Sequence, residues 1–125
     1  MKNICILGVG KIGIRHLESI LKIKRKFNIY LFEKNINYKK LNRFININNN
    51  KSFHKINIHN QVYNTGIYFD ILIISTNSDV RFDVFFEFVK LNKVRNIIFE
   101  KIVFQDNNLY KKAISITRKY KINTY

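Results

Sequence analysis

Three of the four glycines in this chain fall within six residues, as Gly8-Val9-Gly10-Lys11-Ile12-Gly13. What flanks them limits the fold. Upstream, Asn3 to Leu7 is a short apolar run of the kind that forms a buried strand, and it ends at Gly8. Downstream, Lys11 to about Lys26 places Ile14, Leu17 and Leu21 at i, i+3 and i+7, with Ile20 beside them. That is one face of an amphipathic helix. A chain that passes from a buried strand into a helix through glycines begins a β-α unit.

The alternation then repeats. Asn28 to Glu33 reads as a second strand, and Asn37 to about Ile47 as a short helix weakened by asparagines. The stretch from Ile45 to Lys51 is polar and Asn-rich. Lys55 to His59 alternates Ile56 and Ile58 with polar residues, which suits a strand near a sheet edge. Gln61 to Tyr68 is a connection containing Gly66. Phe69 to Ser75 is the most strand-like run. Asp79 to Asn92 reads as a helix with Val80, Val84, Phe88 and Leu91 on one stripe. Arg95 to Phe99 is a strand, and Asp106 to Tyr120 a helix with Leu109, Ala113, Ile116 and Tyr120 in register. Lys121 to Tyr125 begins one more strand. Strands that are apolar throughout, separated by helices, argue for an α/β fold: a doubly wound parallel sheet in three α/β/α layers. The expected strand order is 3-2-1-4-5, with a sixth strand from Lys121. The length of 125 residues suits one domain, 1–125, and no Pro-, Gly- or Ser-rich linker divides it.

In that setting the glycines match G-x-G-x-x-G, the dinucleotide-binding pattern of Rossmann domains. Gly8 permits the tight turn, Gly10 lets a pyrophosphate approach the backbone, and Gly13 lets the helix pack closely on the sheet. The unpaired N–H groups at the helix start, around Lys11 and Ile12, suit phosphate oxygens. Glu33 closes the second strand 20 residues after Gly13, where an acid receives the adenosine ribose hydroxyls. A carboxylate repels a 2′-phosphate, so NAD is expected over NADP. Lys34 beside it keeps NADP open, because a lysine there could offset that phosphate.

Composition removes other classes. The longest aliphatic run, Ile71 to Ile74, is far short of the ~20 apolar residues of a membrane helix. The N-terminus lacks the apolar core of a secretory signal. A single cysteine, Cys5, makes no internal disulfide and reads as a buried strand residue in a reducing cytosol, so a cytoplasmic location is expected. The net charge of +15 raises nucleic acid as a partner. However, 22 Ile, 18 Asn and 17 Lys against one Ala and no Pro or Trp is the signature of A/T-rich coding drift. The cations are also scattered, apart from Lys22 to Lys26 at a helix end, where the dipole favours them. Neither a nucleic-acid nor a membrane partner is expected. His16, His54 and His59 have no partner at metal-ligand spacing, so no metal site is expected.

Three runs, in order, resemble the N-terminal NAD(P)-binding domain of the Gfo/Idh/MocA oxidoreductases. They are Gly8 to Leu17, Asp70-Ile71-Leu72-Ile73-Ile74-Ser75-Thr76-Asn77, and Asn96-Ile97-Ile98-Phe99-Glu100-Lys101. The last is similar to the family's Glu-Lys-Pro motif and is the most specific. The resemblance implies that Ser75, Thr76 and Asn77 pack beside the nicotinamide half of the cofactor. It implies that Lys101 is the catalytic candidate, orienting substrate or promoting proton transfer, with Glu100 shaping its loop. It further implies a hydride transfer between nicotinamide and a secondary alcohol of a sugar or cyclitol. The form of Ser75 to Asp79 and Glu100 to Gln105 is similar to members associated with bacterial surface-polysaccharide sugars. The family's C-terminal substrate domain is absent from these 125 residues, and any homo-oligomer would form through it. Ile102 stands where the family has proline. Since a cis bond before Ile costs about 2.5–4 kcal/mol, a trans Lys101–Ile102 bond is expected.

Three alternatives share parts of this pattern. A stand-alone nucleotide-sensing regulatory domain would use the same glycines and Glu33 without catalysis. A methyltransferase also pairs a glycine loop with an acid, but Gly13 fits a dinucleotide better. A nucleic-acid binder would show steeply salt-dependent affinity.

Overall fold

A computed structural model describes residues 1–49 and 53–125. The end of the Asn-rich run, at Asn50 and Lys51, lies outside the described residues. The chain forms β1 (Lys2–Leu7), α1 (Lys11–Leu21), β2 (Phe27–Phe32), α2 (Tyr38–Asn48), β3 (Lys55–His59), β4 (Tyr68–Ile74), α3 (Arg81–Leu91), β5 (Lys93–Phe99), α4 (Asn107–Lys119) and β6 (Asn123–Thr124). The six strands form one sheet in the order β3-β2-β1-β4-β5-β6, and all pairs are parallel. The expected order and the sixth strand are both present. β3 lies at the edge, as its alternating pattern implied.

Two apolar clusters sandwich the sheet, because successive strand residues point to opposite faces. Ile4 and Ile6 of β1 and Ile29 and Leu31 of β2 pack with Leu17, Ile20 and Leu21 of α1 and Leu41 of α2. Cys5 and Leu7 turn the other way, joining Phe69, Leu72 and Ile74 of β4, Phe85, Phe88 and Val89 of α3 and Ala113 of α4. Each fully buried Phe or Leu contributes about 1.5–3 kcal/mol over its exposed state, so these faces are what hold the layers together. Burial also pushes the Cys5 thiol well above its usual value, leaving it an inert core group.

Three expectations are corrected. First, α1 stops at Leu21, not near Lys26. Lys22 to Lys26 would add no buried face to the helix, since Ile23, the one apolar residue among them, is exposed. The chain turns there instead and enters β2 at the buried Phe27. Second, α3 buries Arg81, Phe85, Phe88 and Val89, whereas Val80 and Leu91 of the expected stripe are exposed. Apart from the charged strip of Asp83, Glu87 and Lys90 the helix is apolar, so its sequence admits more than one stripe; packing on the sheet selects the one containing Phe85. Third, α4 buries Ala113 and Thr117 and leaves Tyr120 exposed at its end.

The loop after β1 is tightly packed against the first turns of α1. Gly8 has φ +87°, a left-handed conformation that suits glycine. A Cβ on Gly13 would lie 2.0 Å from the Gly8 carbonyl oxygen, a backbone atom with nowhere to go. A Cβ on Gly10 would meet nothing within 4 Å. Gly13→Ala is therefore expected to destabilise the fold by at least the ~1–3 kcal/mol typical of overpacking. Gly10→Ala should leave the urea midpoint near wild type, and chemical denaturation of the two variants checks the contrast.

Candidate functional site

The parallel registers align the strand ends. Phe32 pairs with His59, Leu7 with both Phe32 and Ile74, and Ile74 with Phe99. The backbone ladder continues one residue further. Glu33 N–H donates to the His59 carbonyl (3.0 Å), Gly8 N–H to Phe32 (2.9 Å), Ser75 N–H to Leu7 (2.8 Å) and Glu100 N–H to Ile74 (3.3 Å). Glu33, Gly8, Ser75 and Glu100 thus form a row along the carboxyl edge of the sheet. Open α/β sheets bind ligands outside that edge, where the strand order reverses; here the reversal lies between β1 and β4.

A cleft of about 790 Å³ opens along this row. Seven of the residues singled out from sequence line it: Gly8, Gly10, Glu33, Lys34, Ser75, Thr76 and Asn77. Lys11, Ile12, Gly13, Glu100 and Lys101 are not among its walls. Lys11 and Ile12 are exposed in the first turn of α1, and Gly13 is buried beneath the loop. Gly10 caps α1 with no side-chain hydrogen bond, and no acid occupies the first turn. The helix start therefore has no side-chain acceptor of its own.

Each wall is held by short contacts. Glu33 Oε2 accepts from Val9 N–H (2.8 Å) and Oε1 from Asn35 N–H (3.3 Å). These bonds orient the carboxylate between the glycine loop and the end of β2, and its remaining lone pairs can accept hydroxyls. Ser75 Oγ donates to the Gly8 carbonyl (2.7 Å), tying the loop after β4 to the glycine turn. Thr76 Oγ1 is buried with no hydrogen-bond partner among the described residues. A buried polar atom in a cleft wall normally has a hydrogen-bond partner. With the open space over Gly10, this unpaired hydroxyl makes these residues a fit for a dinucleotide.

Glu100 and Lys101 lie beside the cleft. His16 on α1 pairs with Glu100 (Nε2 to Oε1, 2.5 Å), so His16 is a partner of the Glu-Lys loop as well as a helix residue. Lys101 is exposed. The Lys101–Ile102 bond is cis, not trans as expected. The local cost of such a bond omits tertiary contacts, and here the carbonyls on both sides, of Glu100 and Ile102, accept from Arg81 Nη1.

Arg81 was not singled out from sequence. Its signal was a cation one turn before Phe85, on a stripe that only packing identifies. Burial lowers its pKa, and the Glu100 charge partly offsets that. The strand-edge wall formed by Phe32, Asn60, Gln61 and Val62 was also missed, because which loops meet depends on strand order. Asn92, at the end of α3, anchors that connection by donating to the Tyr63 carbonyl (2.9 Å) and accepting from Thr65 N–H (3.0 Å).

No family model and no curated protein matches the chain. Solved structures do. A Gfo/Idh/MocA family oxidoreductase from Vibrio cholerae superposes with a TM-score of 0.75 at 16% identity, over 100% of this chain and 38% of that one. The fold is shared with that oxidoreductase. The WlbA dehydrogenase from Chromobacterium violaceum, solved with NADH and UDP-GlcNAcA, matches with a TM-score of 0.74 at 14% identity, over 99% of this chain and 34% of its own. WlbA from Thermus thermophilus, solved with NAD and UDP-GlcNAcA, matches with a TM-score of 0.71 at 14% identity, over 100% of this chain and 41% of its own. The likeness is one of fold, and this chain spans a little over a third of the length of these structures.

Behind Phe32 lies an aromatic cluster that contains a titratable group. His59, at the end of β3, stacks on Phe32 (4.9 Å) and meets Tyr63 edge-on (5.2 Å), and its Nε2 is buried without a partner among the described residues. Burial lowers its pKa below the ordinary 6.5. The unfolded chain then binds the proton more readily, so this group costs nothing above pH 6.5 and erodes stability as pH falls below it. Thermal melts at pH 7 and pH 5.5 should show a smaller acid-induced drop in His59→Phe than in the wild type.

Proposed function

We propose that this chain is the NAD(H)-binding part of a Gfo/Idh/MocA-like oxidoreductase that moves a hydride between nicotinamide and a secondary alcohol of a sugar or cyclitol. The observation that carries the reading is the single cleft joining the glycine loop, Glu33 and the Ser75-Thr76-Asn77 loop along the carboxyl edge of the sheet. Two structures of this fold, the WlbA dehydrogenases, were solved with NADH or NAD and a sugar nucleotide. That supports a cofactor of this class and a sugar-type substrate; a place in surface-polysaccharide sugar biosynthesis belongs to the same proposal.

In this reading Gly8 and Gly10 admit the pyrophosphate against backbone, and the first turn of α1, at Lys11, Ile12 and Gly13, supplies N–H donors. Glu33 accepts the adenosine ribose hydroxyls, and its charge disfavours a 2′-phosphate. Lys34 beside it moderates that preference. Ser75, Thr76 and Asn77 flank the nicotinamide half, and the buried Thr76 hydroxyl is unpaired among the described residues. When bound, the nicotinamide supplies the hydride acceptor or donor. Lys101, with Glu100 beside it, provides a cation just past the end of β5 that can polarise an alcohol or its carbonyl product.

A second reading, a nucleotide-sensing regulatory domain without catalysis, is favoured by one observation: Lys101 stands outside the cleft walls. Lys101→Ala distinguishes them. It should abolish turnover by an enzyme containing this domain and leave a sensor's response intact.

Glu33→Ala is expected to raise the Kd for NADH by about tenfold, the loss of one charge-assisted hydrogen-bond pair. NADPH should lose less. Fluorescence titration of both cofactors measures the ratio, and an equal loss would remove Glu33 from the ribose site. Tight binding of S-adenosylmethionine with no binding of NADH would overturn the whole assignment.

A further inference from the structure

Lys101 is exposed and, among the described residues, makes no ion pair. Nothing on its own side chain holds it in place. Its position is set by the backbone of the loop that carries it, so the grip on that loop matters.

The strongest grip is Arg81. It is 4% exposed, and its guanidinium reaches two loops at once. Toward the loop after β4, Nη2 donates to the Thr76 carbonyl at 2.5 Å and Nε to the same oxygen at 3.2 Å. Toward the loop after β5, Nη1 donates to the carbonyls of Glu100 (2.5 Å), Ile102 and Val103 (3.3 Å). Among the described residues no carboxylate bonds to it. A buried cation served only by carbonyls is a costly way to fill a helix face, and an apolar side chain there would pack without that cost. What Arg offers is a rigid planar fork with donors on both sides. Lysine, a point charge on a flexible stem, cannot span the same pair of loops.

We propose that Arg81 is a positioning residue: it locks the Glu100–Val103 loop to the Thr76 loop and thereby sets where Lys101 stands relative to the nicotinamide end of the cleft. The His16–Glu100 pair holds the same loop from the α1 side. The role of Lys101 rests on the function proposed above; the locking of the two loops does not.

The test uses Arg81→Lys and Arg81→Met in the full chain, read in two ways. Backbone amide relaxation should show Thr76, Asn77 and Glu100 to Val103 ordered in the wild type and loosened in both variants, while Gly8 to Gly13 and Glu33 stay ordered. Titrations should show NADH affinity falling about tenfold in Arg81→Lys, with ADP-ribose, which lacks the nicotinamide, bound within about twofold of wild type. Unchanged amides and unchanged NADH affinity would overturn the proposal. Equal losses for NADH and ADP-ribose would also overturn it, since that is general damage. Should either variant fail to fold, the wild-type Arg81 Nη resonances decide. Separate, slowly exchanging signals support the clamp, and a single averaged signal overturns it. A wild type that binds neither NADH nor ADP-ribose would sink the proposed function, while the amide data would still judge the clamp.

Discussion

The close approach of α1 to the end of β1 organises the structure. Gly13 sits so near the Gly8 carbonyl that a single methyl would overlap it, at 2.0 Å. That contact sets how near the first helix lies to the sheet. It lets Leu17, Ile20 and Leu21 reach Ile4 and Ile6 and close one core. It also brings the glycine turn under Ser75, whose hydroxyl donates to the Gly8 carbonyl. A larger residue at position 13 would push α1 outward and loosen the core and the cleft wall together. One packing constraint therefore serves both stability and the site.

The sheet then does the gathering. Parallel pairing places strand ends side by side, and the ladder runs one residue beyond the strands at Glu33, Gly8, Ser75 and Glu100. Residues 25 to 67 positions apart in sequence become neighbours because each follows its strand by the same step. The loops at that edge carry the site, and some of their residues, such as Phe104, are also anchored in the core.

The polar contacts at this edge are few and specific. Glu33 is oriented by Val9 N–H, the Glu100 loop by His16, and two loops are joined by Arg81. The His16–Glu100 pair is partly exposed, and each of these contacts ties a loop at the carboxyl edge to a second segment. The buried Arg81 is the clearest case, because its desolvation must be offset by the carbonyls it serves.

Much of this was legible in the residues. The glycine spacing, the apolar strands and the helical periodicities sufficed for a parallel α/β sheet, its strand order and four of the cleft-lining residues, Gly8, Gly10, Glu33 and Lys34; Ser75, Thr76 and Asn77 came from the family resemblance. Those signals are local: a strand, a turn and a helix each follow from a short window. The buried face of α3 was not legible, because a helix apolar on most sides offers no unique stripe. Nor were the end of α1, the Arg81 fork or the aromatic cluster around His59, since each depends on which distant segments meet. The cis bond at Lys101–Ile102 lies in the same class. Sequence alone determined the order of elements and the chemistry at the glycine turn, because these rest on short-range sterics and period. Tertiary structure decided which face is buried and which loops are clamped together, because those outcomes depend on contacts between residues far apart in the chain.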